Sequence, residues 1–163
     1  LRMSTVLMSL DGHWQAVTVT RLEPDSPVPA DGLNLQPVTA EALTPPNGTV
    51  ALLPVNLPVR PHAEALKALP VIALAFDTVA EGRPYSQARQ LRDAGYTGQL
   101  IATGAGVTLD RIVPMRAMGI DHFVLPDETS VAAVMARFSL ADTPLPPPAA
   151  GRGYQPQHRT GSI

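Results

Sequence analysis

Proline decides where this chain can be regular. Eighteen prolines are spread unevenly over 163 residues: nine lie between Pro24 and Pro61 and five between Pro144 and Pro156. Only Pro70, Pro84, Pro114 and Pro126 interrupt the stretch between those two groups. Proline has no backbone donor, and its ring obstructs a helix interior or a central strand. The spacing predicts an irregular N-terminal extension over residues 1–49, an ordered body over 50–140 and a disordered Pro-rich tail over 141–163. In the extension, "HWQAVTVTRL" (13–22) alternates as a strand does, which allows one hairpin but no separate core. In the tail, "PLPPP" has the composition of a polyproline II ligand for a partner, or of a plain solvated terminus.

The body has a regular rhythm. "VALLPVNL" (50–57) reads as a buried strand with Pro54 forcing an edge or bulge, and "PHAEALKAL" (61–69) as a short helix. "VIALAF" (71–76) is wholly apolar, the mark of a strand covered on both faces. A helix over 86–95 ends at Gly95, "QLIAT" (99–103) is the next strand, and a helix over 109–119 ends at Gly119. Pro114 requires that this last helix start near Arg111 or kink. "HFVL" (122–125) is a strand, and residues 129–138 are an amphipathic helix opening on Thr and Ser. Strands alternating with helices at this spacing are βαβ units, which cross over right-handed. The fold class expected is α/β, a small parallel sheet of about four strands with helices packed against it.

Composition removes several function classes. No cysteine is present, so no disulfide, thiolate nucleophile or iron–sulfur ligand set exists here. The four histidines, His13, His62, His122 and His158, share no metal-ligand spacing. A net charge of −2 offers no attraction for nucleic acid or an anionic membrane. The opening "LRMSTVLMSL" is broken by serines and followed by Asp11, unlike a signal peptide, and no apolar run reaches 18 residues, so a cytoplasmic protein is expected. No dinucleotide fingerprint, Walker lysine or nucleophile elbow occurs, and no cofactor motif is evident.

In an open α/β sheet, ligands bind beyond the carboxyl ends of the strands. Three loops meet that description: "FDTVAEGRPYS", "GAGVTLD" and "PDETS". In the first, Ser86 reads as the N-cap of the 86–95 helix, which puts Arg89 in its first turn against the helix dipole. A bound anion would resolve that mismatch, held by backbone N–H groups, the Ser86 hydroxyl and the guanidinium forks of Arg83 and Arg89. Tyr85 either donates its hydroxyl to the ligand or closes the core beneath the loop. The opposing reading has the arginines solvated or paired with Glu81 or Asp93. Gly104 and Gly106 form a Gly-x-Gly that suits a phosphate only weakly, and Asp77 and Asp110 are rim carboxylates open to base, metal-ligand or capping roles.

The motif order over 50–140 resembles the bacterial domain of unknown function 934 family. The residues that carry the resemblance are Phe76, Gly82, Arg83, Tyr85, Ser86, Ala88, Arg89, Leu91, Arg92, Tyr96 and Gly98. The chain departs from the family pattern with Asp110-Arg111 in place of Asp-Gln, and with Ala117-Met118-Gly119 in place of Arg-Cys-Gly. The family is described as an oxidoreductase of sulfite reduction on the ground of gene neighbourhood. The resemblance therefore implies a role in assimilatory sulfite reduction, with a sulfur oxyanion or the sulfite reductase as partner, and supplies no mechanism. Three readings stand at this point: an accessory protein of sulfite reduction, an enzyme with an anionic small-molecule substrate (sulfite, sulfate or phosphate), and a scaffold recruiting a partner through the Pro-rich tail.

Overall fold

Short apolar runs, many of them rich in Val, Leu and Ile, make strands of much more of the chain than the body alone. The computed structural model describes residues 5–9, 13–141 and 161–162. Thr5–Ser9 (β1) and His13–Val17 (β2) form an antiparallel hairpin with Met8 opposite Trp14. Val19–Arg21 (β3), Leu33–Pro37 (β4), Val50–Leu53 (β5), Val71–Ala75 (β6), Gln99–Thr103 (β7) and His122–Leu125 (β8) run parallel, each paired with the next. β1 then pairs antiparallel with β8, and Gly161–Ser162 (β9) with β2.

The order across the sheet is β3-β4-β5-β6-β7-β8-β1-β2-β9. β2 and β3 lie at opposite ends of the β3-to-β2 row yet are separated in the chain only by Thr18. One extended segment thus pairs with β1 through its first half and with β4 through its second. The row is drawn round on itself into a nearly closed barrel. Closure is incomplete because β4 begins opposite Val19, leaving residues 15–17 without a β4 partner and a seam below Thr18.

Among the described residues four α-helices line the outside: Ala63–Lys67 (α1), Arg83–Asp93 (α2), Ile112–Ala117 (α3) and Glu128–Ala141 (α4). Strand alternation sorts the core into two layers. Met8, Leu53, Leu74, Phe76, Leu100 and Phe123 pack outward with Ala88 and Leu91 of α2, Met115 of α3 and Val131 of α4. Leu7, Val17, Leu33, Leu35, Leu52, Ala73 and Ile101 form a second buried cluster on the other face, the barrel interior. Burying a Leu or Ile on either layer is worth about 1.5–3 kcal/mol, so both layers hold the fold.

These facts overturn the expected fold class. The sheet is not a small parallel one of about four strands in βαβ units: five parallel pairings join six strands, and three antiparallel pairings complete the row. The expected irregular N-terminal extension is also corrected, since β1 to β4 come from it and complete the barrel. Its prolines sit in the connections around 24–29 and 45–46, and the one inside a strand, Pro37, is the last residue of β4. The tail reading, including "PLPPP", falls on residues outside those described, apart from Ala141, the last residue of α4, and the two residues of β9.

Candidate functional site

The sequence candidates gather at the rim formed by the carboxyl ends of the parallel strands. α2 leaves this rim after β6. Gly82 is its N-cap, Pro84 occupies its first turn without wasting a donor, and the Glu81 carboxylate accepts the Arg83 N–H at 3.1 Å. The expectation that Ser86 caps the helix is therefore corrected: Ser86 is a helical residue, and Arg89 lies beyond the first turn. Pro84, Gln87, Ala88 and Leu91 form the buried face.

Arg83, Ser86 and Arg89, three residues apart, share the opposite, exposed side. Arg89 pairs with Asp93 at 3.5 Å, both side chains well exposed at 62% and 68%. Arg83 has no ion pair among the described residues. Tyr85 turns the other way and meets Phe76 edge-on, with ring centroids 5.0 Å apart at 78°. The structure thus brings Arg83, Ser86 and Arg89 together on one surface and leaves Tyr85 half-buried against the core.

Arg92, three residues past Arg89, is a structural cross-link at the other end of the barrel. It donates to the carbonyls of Tyr96 (2.9 Å), Gly98 (2.8 Å) and Gly119 (3.1 and 2.9 Å). Its guanidinium also lies 3.6 Å from the Asp121 carboxylate and 5.5 Å from the Tyr96 ring centre. Burial lowers the Arg92 pKa, with the charges of Asp121 and Tyr96 opposing.

The remaining rim candidates have partners of their own. Asp77 receives both Arg21 Nη atoms, at 2.8 and 3.3 Å, a bidentate pair between the ends of β6 and β3. Asp110 accepts the Thr108 hydroxyl at 2.6 Å, and chiefly this bond holds its carboxyl below the usual range. Asp77 and Asp110 share the rim but are engaged separately. Gly104 has φ +111°, and a Cβ there would fall 2.4 Å from the Phe76 carbonyl oxygen. At Gly106 the same atom would meet the Thr78 and Phe76 oxygens at 2.6 and 2.8 Å, so the Gly-x-Gly loop lies against the backbone that follows β6.

A cavity of about 820 Å³ opens on the rim between β7, β8 and α4, with Thr5 and Val19 closing one side. Among the described residues its only charged lining residue is Asp127, whose carboxylate caps α4 by accepting the Ser130 N–H and hydroxyl at 3.0 and 3.2 Å. Among the described residues, the lining offers no cation to balance the charge of an anionic substrate.

Two residues escaped the sequence reading. Arg21 continues the inward parity of Val17 and Val19, a readable signal, but its partner is 56 residues away. Gln87 is buried and donates to the carbonyls of Pro54 and Leu57 at 2.8 and 3.1 Å, tying α2 to the segment after β5. Its place on the apolar side of α2 was the available signal. Among the described residues, no group of three or more His, Asp or Glu could hold a metal ion, and no helix is long and apolar enough to cross a membrane.

The sequence profile of a family of bacterial proteins of unknown function, DUF934, matches residues 51–154. No curated protein and no solved structure matches the chain.

Proposed function

The chain belongs to the DUF934 family of bacterial proteins, and on that premise we propose that it is an accessory protein of assimilatory sulfite reduction. In this reading it docks on an acidic surface of the sulfite reductase through Arg83, Ser86 and Arg89. The sulfite-reduction setting comes from the family resemblance; the docking face comes from α2.

One observation carries the reading. Most residues of the resemblance motif are already engaged in holding the fold. Phe76, Tyr85, Ala88 and Leu91 pack, Gly82 begins α2, and Arg92 binds the carbonyls of Tyr96 and Gly98. Packing leaves three motif side chains over, all exposed and all on one stripe: Arg83, Ser86 and Arg89. Magnitudes favour a macromolecular anion over a free one. Exposed ionic contacts are worth about 0.2–1 kcal/mol each, so two of them and one neutral hydroxyl bond supply at most about 3 kcal/mol. Millimolar affinity already needs about 4 kcal/mol. A lone sulfite ion would be held weakly, whereas the same contacts at the edge of a larger interface add specificity and on-rate.

The test is association of the purified chain with the sulfite reductase at low and raised salt, for the wild type and for a double variant, Arg83→Ala with Arg89→Ala. Salt-sensitive binding at micromolar concentration that the double variant loses is the expected result. No association at that concentration, or association untouched by the double variant, overturns the reading. Titration with sulfite, sulfate and phosphate is expected to show nothing tighter than millimolar. Micromolar binding of any of them, lost in Arg89→Ala, would make the face a small-anion site instead.

A further inference from the structure

We propose that the cleft in the barrel seam, at the end remote from the rim, binds a small organic ammonium ion. The site does not involve α2, so it stands apart from the docking face.

The cleft opens where β2 and β4 part below Thr18 and holds about 510 Å³, within the usual range for small-ligand sites. Gln15 and Asn34 line it, at 5% and 3% exposure, and each has a buried amide oxygen with no hydrogen-bond partner among the described residues. The Asn34 amide is oriented by its nitrogen, which donates to the Pro29 carbonyl at 3.1 Å, so its oxygen is the end left over. The Gln15 oxygen is likewise an acceptor without a donor, on a side chain sharing the inner face with Leu7 and Val17. Buried acceptors are costly to leave unmade, and two in the lining of one cleft call for a ligand rich in N–H donors.

Charge narrows the class. Among the described residues, Asp31 is the only ionisable one in the lining, and no cation accompanies it. A carboxylate ligand would meet a carboxylate and two amide oxygens, all repulsive. A primary ammonium presents three donors and the complementary charge. Val17, Val50, Leu69 and Pro70 supply apolar wall for a short alkyl body.

The test uses the whole chain and three probes of one size, n-butylammonium, n-butanol and n-butyrate, read by calorimetric titration and thermal shift. Saturable binding of n-butylammonium at one site, with n-butyrate silent and n-butanol much weaker, is expected. Gln15→Met removes the acceptor while keeping the shape. It should weaken n-butylammonium at least about tenfold without lowering the unfolding temperature of the free protein, since no partnered bond is lost. Asp31→Asn should weaken it too, and Gln15→Glu should strengthen it. Silence with all three probes, equal binding of n-butanol or n-butyrate, or unchanged binding in Gln15→Met overturns the proposal.

Discussion

Arg92 holds the Gly119 carbonyl with two hydrogen bonds at once, from Nε at 3.1 Å and Nη2 at 2.9 Å. The remaining guanidinium nitrogen binds the carbonyls of Tyr96 and Gly98. One side chain therefore ties together the end of α2, the entry to β7 and the end of α3. Only the planar fork of arginine reaches all three directions. Arg92→Ala leaves these carbonyls without their donor and takes the cation from the nearly buried Asp121 carboxylate, which keeps only the Leu100 N–H and His122, a loss of about 3–5 kcal/mol. Arg92→Lys should recover only a small part of it. Urea denaturation of the three proteins checks both statements, and a loss below about 1 kcal/mol in Arg92→Ala would place the cluster with ordinary surface pairs.

Tyr96 lies beneath the same guanidinium and adds a pH dependence. Burial pushes its phenol well above the ordinary range; the Arg92 charge opposes this and the Asp121 charge adds to it. The folded state thus keeps a proton that the unfolded phenol releases near pH 10. Its contribution is fully present below about pH 10 and is lost as pH rises beyond it, at up to about 1.4 kcal/mol per pH unit. Denaturation midpoints taken up to about pH 11 should fall for the wild type and fall less steeply for Tyr96→Phe. Parallel slopes in the two proteins would remove Tyr96 as the cause.

The Arg21–Asp77 pair at the rim has better hydrogen-bond geometry than Arg92–Asp121 but a wetter setting, with side chains 45% and 51% exposed. Water and salt screen it, so Arg21→Ala should cost no more than about 1 kcal/mol and cost less as salt is added. A larger, salt-independent loss would mean that the pair closes the barrel mouth rather than decorating it. Urea titrations at two ionic strengths distinguish the cases.

Local signals in the chain are faithful, and the long-range ones are hidden. "VIALAF" (71–76) reads as a strand covered on both faces, and Val71–Ala75 is one. Apolarity alone does not say that the second cover is the opposite barrel wall rather than another helix layer. Proline density made residues 1–49 read as irregular, because density does not separate connections from the short strands they join. The continuity of β2 into β3, which closes the barrel, depends on pairings with β1 and β4 that no window of neighbouring residues contains. At the candidate site, Ser86 has the chemistry of a cap, but Gly82, Pro84 and the Glu81 carboxylate start the helix earlier. The earlier start brings Arg83 into the helix, and its spacing of three from Ser86 and of six from Arg89 puts all three on one exposed side.

The Gly-x-Gly loop gives the last prediction, because two roles for it make opposite demands on stability. If Gly104 and Gly106 were bare in order to admit a phosphate, a methyl group would block the ligand and leave the folded protein unharmed. Instead, the Gly106 N–H donates to the Phe76 carbonyl at 2.6 Å, and an added Cβ would meet the Thr78 and Phe76 oxygens at 2.6 and 2.8 Å. Those atoms are backbone and cannot swing aside as a side chain end would. Gly106→Ala must push apart the loops that follow β6 and β7, at about 1–3 kcal/mol. Gly104→Ala adds the strain of a positive φ to an equally close contact and should cost at least as much. Denaturation midpoints of both variants decide the matter, and wild-type stability in Gly106→Ala would restore the loop as a candidate ligand contact.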